Sequence, residues 1–517
     1  MPWWWGSSSV SSRPWCHKSF ITLAGGPWVS LETYVPGSHL FEPLPYDPAD
    51  RESCLRHARK LQAAGSLREA IHDCVPLEHQ AKVFEKVGDI VRSGGKGVLG
   101  NAIEAGHFYY LPNSSAEPDL EWAELKCTGL LPDGDGGRRA KERLVICMIN
   151  YGGDPDSKIP CVVEETAETS HAFQKLLSVL LVFYDYAKVE HPDQLIDLPI
   201  RLVDIWSPSP DDMVLFKRDW EVIQGYVREG RAHELSEGLT PMLGACTKSS
   251  NSEKTVRQRI GPTPAKPRAF ALKQAFVTAI YRNLTSRQQV DATPANALLA
   301  EPASMSPKLN LESKIVRDMS TYSGMALEDI CSELSLTGEF GGKSGNSRRM
   351  NKFVNKVATG FQYQKIGQLP EFQKSGLTVK VVRIKKNGEA AESVSFPAFE
   401  YAEVAAEERW EDSSLYQDLI KRFLFLFLRD PGEGKPVRFD RAVFWSMPES
   451  DLDKTEQVWQ AAVRLIGMNR LEELPVEAQT FAVHIRPHDR RRYPGFKRSY
   501  WLNRRYVTSI WAKACRA

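Results

Sequence analysis

Residues 117–130 run Glu117-Pro118-Asp119-Leu120-Glu121-Trp122-Ala123-Glu124-Leu125-Lys126-Cys127-Thr128-Gly129-Leu130. An acid follows a proline bend, and an acid–x–lysine pair then sits on a short apolar strand. Strand side chains two apart share a face, so Glu124 and Lys126 project together, and Asp119 at the bend can swing its carboxylate to the same point. Two carboxylates, the Leu125 carbonyl and several waters would supply the oxygen octahedron, at about 2.0–2.1 Å, that Mg²⁺ demands. Lys126 stands where it can orient or deprotonate a water. An acid–x–lysine pair alone is more often a solvated strand edge, and the flanks tip the balance. Upstream, Lys96-Gly97-Val98-Leu99-Gly100-Asn101-Ala102-Ile103-Glu104 forms a glycine-opened helical turn ending on Glu104. Downstream, Glu168–Lys175 runs into the apolar strand Leu180-Leu181-Val182-Phe183-Tyr184.

Further segments follow in a fixed order. The helical stretch Cys54–Leu61 leads into Ala64-Gly65-Ser66-Leu67-Arg68-Glu69-Ala70. Trp206-Ser207-Pro208 precedes Phe216-Lys217-Arg218-Asp219-Trp220-Glu221, and Pro267-Arg268-Ala269-Phe270-Ala271-Leu272-Lys273 closes the region. Together with the acidic segment, these pieces resemble the MutH family of mismatch-repair nicking endonucleases and its restriction-enzyme relatives that cut at GATC. The resemblance covers most of residues 50–285. It implies Mg²⁺-dependent hydrolysis of double-stranded DNA giving 5′-phosphate ends, with Glu104, Asp119, Glu124, Lys126 and Lys175 as the catalytic set. Asp119, Glu124 and the Leu125 carbonyl would hold the metal, Glu104 would help with a second cation or the bound water, and Lys175 would contact the phosphate.

A chain of 517 residues exceeds one core and predicts two or three domains. Its 42% apolar and 26% charged residues suit a globular protein. No apolar run approaches a membrane span, so no membrane partner is expected. The net charge of +2 leaves any nucleic-acid argument to local charge clusters. Nine cysteines lack zinc spacing and, being odd in number, a disulfide framework. A reducing prokaryotic cytoplasm fits. Residues 1–48, rich in Trp, Ser, Gly and Pro, lack the basic start and apolar core of a secretory signal and are expected to be a poorly ordered arm outside the fold.

The chain also carries a weak internal repeat spaced by roughly 230–260 residues. Phe276-Val277-Thr278-Ala279-Ile280-Tyr281 returns as Tyr506-Val507-Thr508-Ser509-Ile510-Trp511. Trp206-Ser207 returns as Trp445-Ser446, Gly65–Glu69 as Gly324–Glu328, and Val179–Asp185 as Leu424–Asp430. The expected architecture is α/β: two tandem restriction-endonuclease-like domains, each a mixed β-sheet flanked by helices. The first is a catalytic domain over residues 49–284. A linker over 285–308, rich in Ala, Pro, Ser and Gln, joins it to a degenerate DNA-binding or effector domain over 309–517.

The copies differ where chemistry would occur. In Pro370-Glu371-Phe372-Gln373-Lys374-Ser375-Gly376-Leu377-Thr378-Val379-Lys380, Glu371 takes the place of Asp119 and Lys380 that of Lys126, but Thr378 replaces Glu124. A neutral hydroxyl cannot hold Mg²⁺ against its hydration shell. Asn351 falls near Glu104, and Ile420, with Lys421 beside it, falls on Lys175. The second copy is expected to hold DNA without cutting.

Cations interleaved with aromatics at 486–513 suit a phosphate-contacting surface, with Arg486, Arg504 and Arg505 as DNA contacts. His484-Ile485-Arg486-Pro487 resembles a family motif whose arginine reads a base, for which guanine O6 and N7 suit a guanidinium. Its first-copy counterpart is Cys246, and Ala271 stands where the family has tyrosine. Lys248, Lys254, Arg257, Arg259, Lys266, Arg268 and Lys273 complete the expected DNA-contacting set. The predicted partners are double-stranded DNA, a second copy when DNA is bound to an otherwise monomeric protein, and a companion DNA methyltransferase. A mismatch-repair nicking enzyme and a non-catalytic DNA-binding protein are the alternatives.

Several other groups read as structure. His107 suits a packed helix end, Leu144–Ile149 a buried central strand, and Glu164, Glu165 and Glu168 loop surface.

Overall fold

The structure, a computed structural model, describes residues 39–516 apart from 96, 112–117, 121, 134–135, 249–253, 292–310, 339–344, 361–365, 367–369, 433 and 488–496. Residues 1–38 of the expected arm therefore lie outside the described residues.

Two mixed sheets form the centres of the fold. In the first, β1 (Glu124–Pro132) pairs antiparallel with β2 (Arg138–Ala140) and parallel with β4 (Val179–Asp185), which pairs antiparallel with β5 (Ile200–Trp206). Beside it, β3 (Leu144–Met148), β6 (Leu243–Thr247) and β7 (Arg268–Leu272) form an antiparallel sheet in the order β3-β7-β6. The later part of the chain repeats both. There, β8 (Thr378–Lys385) runs parallel to β10 (Phe423–Asp430), which pairs antiparallel with β11 (Arg438–Trp445). The strands β9 (Val394–Phe399), β12 (Val483–Pro487) and β13 (Arg498–Leu502) take the order β12-β13-β9.

Both central parallel strands are apolar along their length, as strands covered on two faces must be. Val179–Phe183 and Phe423–Leu428 are buried throughout. Alternation then sends residues to opposite cores. Leu181 and Phe183 join Trp206, Phe216 and Trp220 on one side, while Leu180 and Val182 join the helices of residues 51–106 on the other. The second half divides its strand residues the same way. A small hydrogen bond repeats too: Thr278 Oγ1 accepts from Ala140 N and Thr508 Oγ1 from Ala390 N.

Three boundaries move. Residues 39–48 belong to the fold, because Leu40, Phe41 and Tyr46 are buried in the first helical core and Leu40 N donates to Tyr109 O at 2.6 Å. Residues 285–291, expected as linker, continue helix Gln274–Asp291; Thr285 and Ser286 hydroxyls donate to carbonyls four residues back, and Gln288 bonds Asp204. The run expected as a central strand is β3, at the edge of its sheet, where Leu144 and Ile146 are buried and Val145, Cys147 and Met148 only partly so.

Candidate active site and its degenerate counterpart

The first cleft opens where β1 begins. Glu124 is the first strand residue, its N–H donates to Ser178 O at 3.0 Å, and its side chain is 2% exposed. Lys126 follows on the same face and donates to Glu124 Oε1. Lys175, near the end of helix His171–Leu176, donates to both Glu124 carboxylate oxygens at 3.1 and 3.0 Å. Asp119 Oδ2 accepts from Leu125 N at 3.0 Å, which fixes the bend against the strand. Glu104 comes from helix Val98–Gly106. The end of that helix is anchored by two buried histidines. Their rings stack at 4.3 Å, His57 Nε2 bonds His107 O at 2.7 Å, and His107 Nε2 bonds His57 O at 2.9 Å. His107 is thus structural, as expected.

The electrostatics fit a cation. Burial, then the neighbouring Asp119 charge, pushes Glu104 up to about 8. Burial and Glu124 raise Asp119 as well. Burial works against the Lys126 ammonium, yet Glu124 and Asp119 outweigh it and hold the lysine above its ordinary range. Three carboxyl groups meet two lysines there, and the crowding is relieved by a proton held on Glu104. Among the described residues no three His, Cys, Asp or Glu side chains gather at metal-holding distance. Glu124 is turned onto two lysines, and Asp119 onto a backbone amide. The donor set of Asp119, Glu124 and the Leu125 carbonyl therefore fits Mg²⁺ in chemistry, with the lysines in its place.

The second cleft can be compared residue by residue through strand register. Glu124 pairs with Val179 and Val179 with Trp206, while Thr378 pairs with Phe423 and Phe423 with Trp445. Thr378 therefore occupies the Glu124 position and Lys380 the Lys126 position. Lys380 donates to Ser395 O at 2.6 Å. The side chain of Glu371 lies outside the described residues. The expected counterpart of Lys175 changes. Ser170 and Ser413 cap corresponding helices, His171–Leu176 and Ser414–Leu419, and counting from the caps puts Asp418 on Lys175. Two extra residues, one in the turn before β10 and one within β10 itself, made the count back from Asp430 slip to Ile420. This acid was missed in sequence, although the buried cap serines would have found it.

The expected DNA contacts fall into three groups. Lys248, Lys254, Arg257 and Arg259 are exposed, with Arg259 paired to Glu164. Arg504 and Arg505 are exposed at the start of helix Arg504–Ala514, and Arg486 lies over the Trp501 ring at 3.5 Å. Register matches Cys246 with Arg486, as expected. The remaining three do not reach the surface as expected. Arg268 is 1% exposed and bonds Glu449 at 2.7 Å and Ala245 O at 2.7 Å. Lys266 bonds Glu449 at 3.3 Å and Asp453 at 2.6 Å, and Lys273 is buried near Ile420 O at 3.4 Å. They sit at the contact between the halves: the acidic start of helix Glu449–Gly467 holds Lys266 and Arg268, and Lys273 meets the Ile420 carbonyl. Arg143, which carried no sequence signal, joins them, donating to Glu411 O at 2.9 Å and facing Glu237 at 3.4 Å. His488, Arg490, Arg491 and Arg492 lie outside the described residues.

The first cleft thus joins a buried acid–x–lysine pair at a parallel strand end to a second acid at the preceding bend. The family profile "DNA mismatch repair enzyme MutH" matches residues 108–219, spanning Asp119 through Lys175. The chain is 30% identical over 472 residues to the type II restriction enzyme Sau3AI of Staphylococcus aureus, covering 84% of this chain and 92% of that enzyme. It is 28% identical over 174 residues to the DNA mismatch repair protein MutH of Vibrio vulnificus, covering 32% of this chain and 75% of that protein. With MutH of Serratia proteamaculans it shares 23% identity over 245 residues, 46% of this chain and 95% of that protein. The chain belongs to the MutH-type endonuclease family, among its type II restriction enzymes. Among the described residues no helix is long and apolar enough to cross a membrane.

Proposed function

We propose that the protein is a Mg²⁺-dependent type II restriction endonuclease that cuts double-stranded DNA at GATC. In this reading residues 39–291 form the catalytic domain. Residues 309–517 form a restriction-endonuclease-like domain that binds DNA as an effector without cutting. The observation that carries it is the convergence of Glu104, Asp119, Glu124, Lys126 and Lys175 in one cleft, against Thr378 and Asp418 at matching positions of the other. The tandem design is supported by the repeated sheet order, and by a whole MutH relative fitting into less than half of this chain.

Mg²⁺, when bound, would lower the pKa of its water and offset charge on the scissile phosphate. The chain's residues do the rest. Asp119 and Glu124 would hold the cation, and Lys126, kept charged by its acid neighbours, would orient the attacking water. Burial holds the proton on Glu104 near neutrality. Lys175, at the edge of the same carboxylate, would face the phosphate. The GATC target and 5′-phosphate ends follow from family likeness.

Two strand breaks need two competent sites, and each chain offers one, so we infer a monomer that pairs with a second copy on DNA. A companion DNA methyltransferase protecting the host sites completes the system. Incubation with Mg²⁺ and unmethylated plasmid, followed by end sequencing, tests the whole proposal. Linear product with ends at GATC is expected, and a plasmid with two sites should be cut faster per site than one with a single site. Open circles without linear product would instead indicate a nicking enzyme, and equal rates per site would remove the effector role.

A further inference from the structure

The second cleft retains a cavity of about 440 Å³ lined by Ser347, Asn351, Lys380, Glu392, Ser393 and Ser395. Lys380 stands in it without a carboxylate at ion-pairing distance among the described residues. Its described contacts are the Ser395 carbonyl at 2.6 Å and the Phe396 ring at 5.8 Å. The acids nearby are engaged elsewhere: Asp418 with Lys421 at 2.6 Å, and Glu392 with Arg383 at 3.2 Å. Lys126, at the same register in the first half, is held by Glu124. Thr378 stands where the first cleft has Glu124, and the lysine remains. The Lys380 ammonium, the Ser347 hydroxyl and the second hydrogen of the Asn351 amide can each donate to a phosphate oxygen, while the lining carboxylate Glu392 faces Arg383. Burial pulls the Lys380 ammonium below its ordinary range, a cost that an anion would offset.

We propose that this cleft is a metal-independent seat for a DNA backbone phosphate, with Lys380 making the ionic contact and the Ser347 hydroxyl and the second amide hydrogen of Asn351 as hydrogen-bond donors. The loss of catalysis and the gain of an effector site are then one change, since removing carboxylates both discards the metal and admits the phosphate directly. The inference rests on the proposed DNA-binding role of the second half and adds to it the place and the chemistry.

The test uses the full chain and a fluorescent duplex bearing one GATC. In Ca²⁺, two duplexes per chain are expected; a single one would mean the second half does not bind DNA, and both the effector reading and this inference would fall. In EDTA, the inference expects one duplex to remain bound. Lys380→Met should weaken it about tenfold and lower the log–log salt slope by about 0.9. Lys380→Arg should restore it. Thr378→Glu, which returns a negative charge to the cleft, should weaken binding in EDTA and be relieved by Ca²⁺. With two duplexes bound in Ca²⁺ but affinity and slope unchanged in both Lys380→Met and Thr378→Glu, the effector role would stand and the phosphate seat would be wrong.

Discussion

Two clefts in this chain share a backbone and differ in charge. In each, a strand enters parallel to an apolar central strand, in the same register and with a tryptophan closing the third strand. The first cleft holds Glu124 between Lys126 and Lys175, with the carboxyl groups of Asp119 and Glu104 beside it. The second holds Thr378, a lysine bonded to a carbonyl, and an Asp418–Lys421 pair. A handful of side chains separates a cleft rich in carboxyl groups from one that has lost the Glu124 carboxylate. The scaffold is therefore free to keep one function while losing another.

The sharpest way to break this comparison is to exchange the residues. Glu124→Gln should lower plasmid cutting by about a thousandfold or more, since loss of a metal ligand removes several kcal/mol at about 1.4 kcal/mol per factor of ten. Thr378→Ala should leave cutting by the first half intact. Adding Thr378→Glu to the Glu124→Gln chain should restore nothing, because Asp418 stands where the first cleft has Lys175. Gel-resolved rates check all three, and restored cutting would show that the second cleft lacks only one carboxylate.

A second contrast concerns one arginine position. Arg268 and Arg498 both begin the middle strand of their three-stranded sheets. Arg268 is 1% exposed and meets Glu449 at 2.7 Å, whereas Arg498 meets Glu472 at 3.9 Å, with that glutamate 95% exposed. Glu449→Ala strands a buried charge and should cost about 3–5 kcal/mol. Glu472→Ala should cost about 0–1 kcal/mol. Urea unfolding of the two variants measures the difference. Equal losses would mean that the contact between the halves gives way to admit water around Arg268.

The first half also carries a pH term in its stacked pair of buried histidines. Burial holds His57 down to about 4 and lowers His107 likewise. The unfolded chain takes up protons below about 6.5 that the fold refuses. Stability is therefore full above that pH and falls as pH drops through it, by about 2 kcal/mol from His57 alone between pH 7 and 5. His107 adds loss in the same direction. Among the described residues of the second half one histidine, His484, is buried and is lowered in the same direction. Denaturant midpoints at the two pH values should converge in His57→Gln, and an unchanged pH slope would place the loss in other groups.

Much of this was legible before any coordinates. Glu124, Lys126 and Thr378 were readable because a strand period of two fixes faces from spacing alone. Asp119 and Lys175 were legible only through the order of motifs, since their distance from Glu124 in sequence says nothing about distance in space. The positions of Lys266, Arg268 and Lys273 were not legible. A basic residue on a strand looks the same whether it meets a phosphate or the acidic start of another helix, and Glu449 lies 181 residues beyond Arg268. The Lys175 counterpart failed for a local reason: one added residue before β10 and one within it shift a count taken from the strand's far end, while the cap serine keeps the register.

The mildest contrast lies at two helix starts. Arg504 and Arg505 open helix Arg504–Ala514 on the surface, while Gln274 and Ala275 open helix Gln274–Asp291 partly covered, with Gly376 packed on Ala275. If the second half grips DNA through this exposed start, each arginine that displaces a counterion contributes about 0.9 to the salt slope. Replacing both with alanine should flatten the slope by about two at most. Arg504 must first leave Glu477, 3.7 Å away, so Arg505→Ala alone should account for the larger share. Gln274→Ala should leave the slope as it was. A double variant with the parent slope would take this helix off the DNA and leave the cleft around Lys380 as the nearer place to look for the second half's grip.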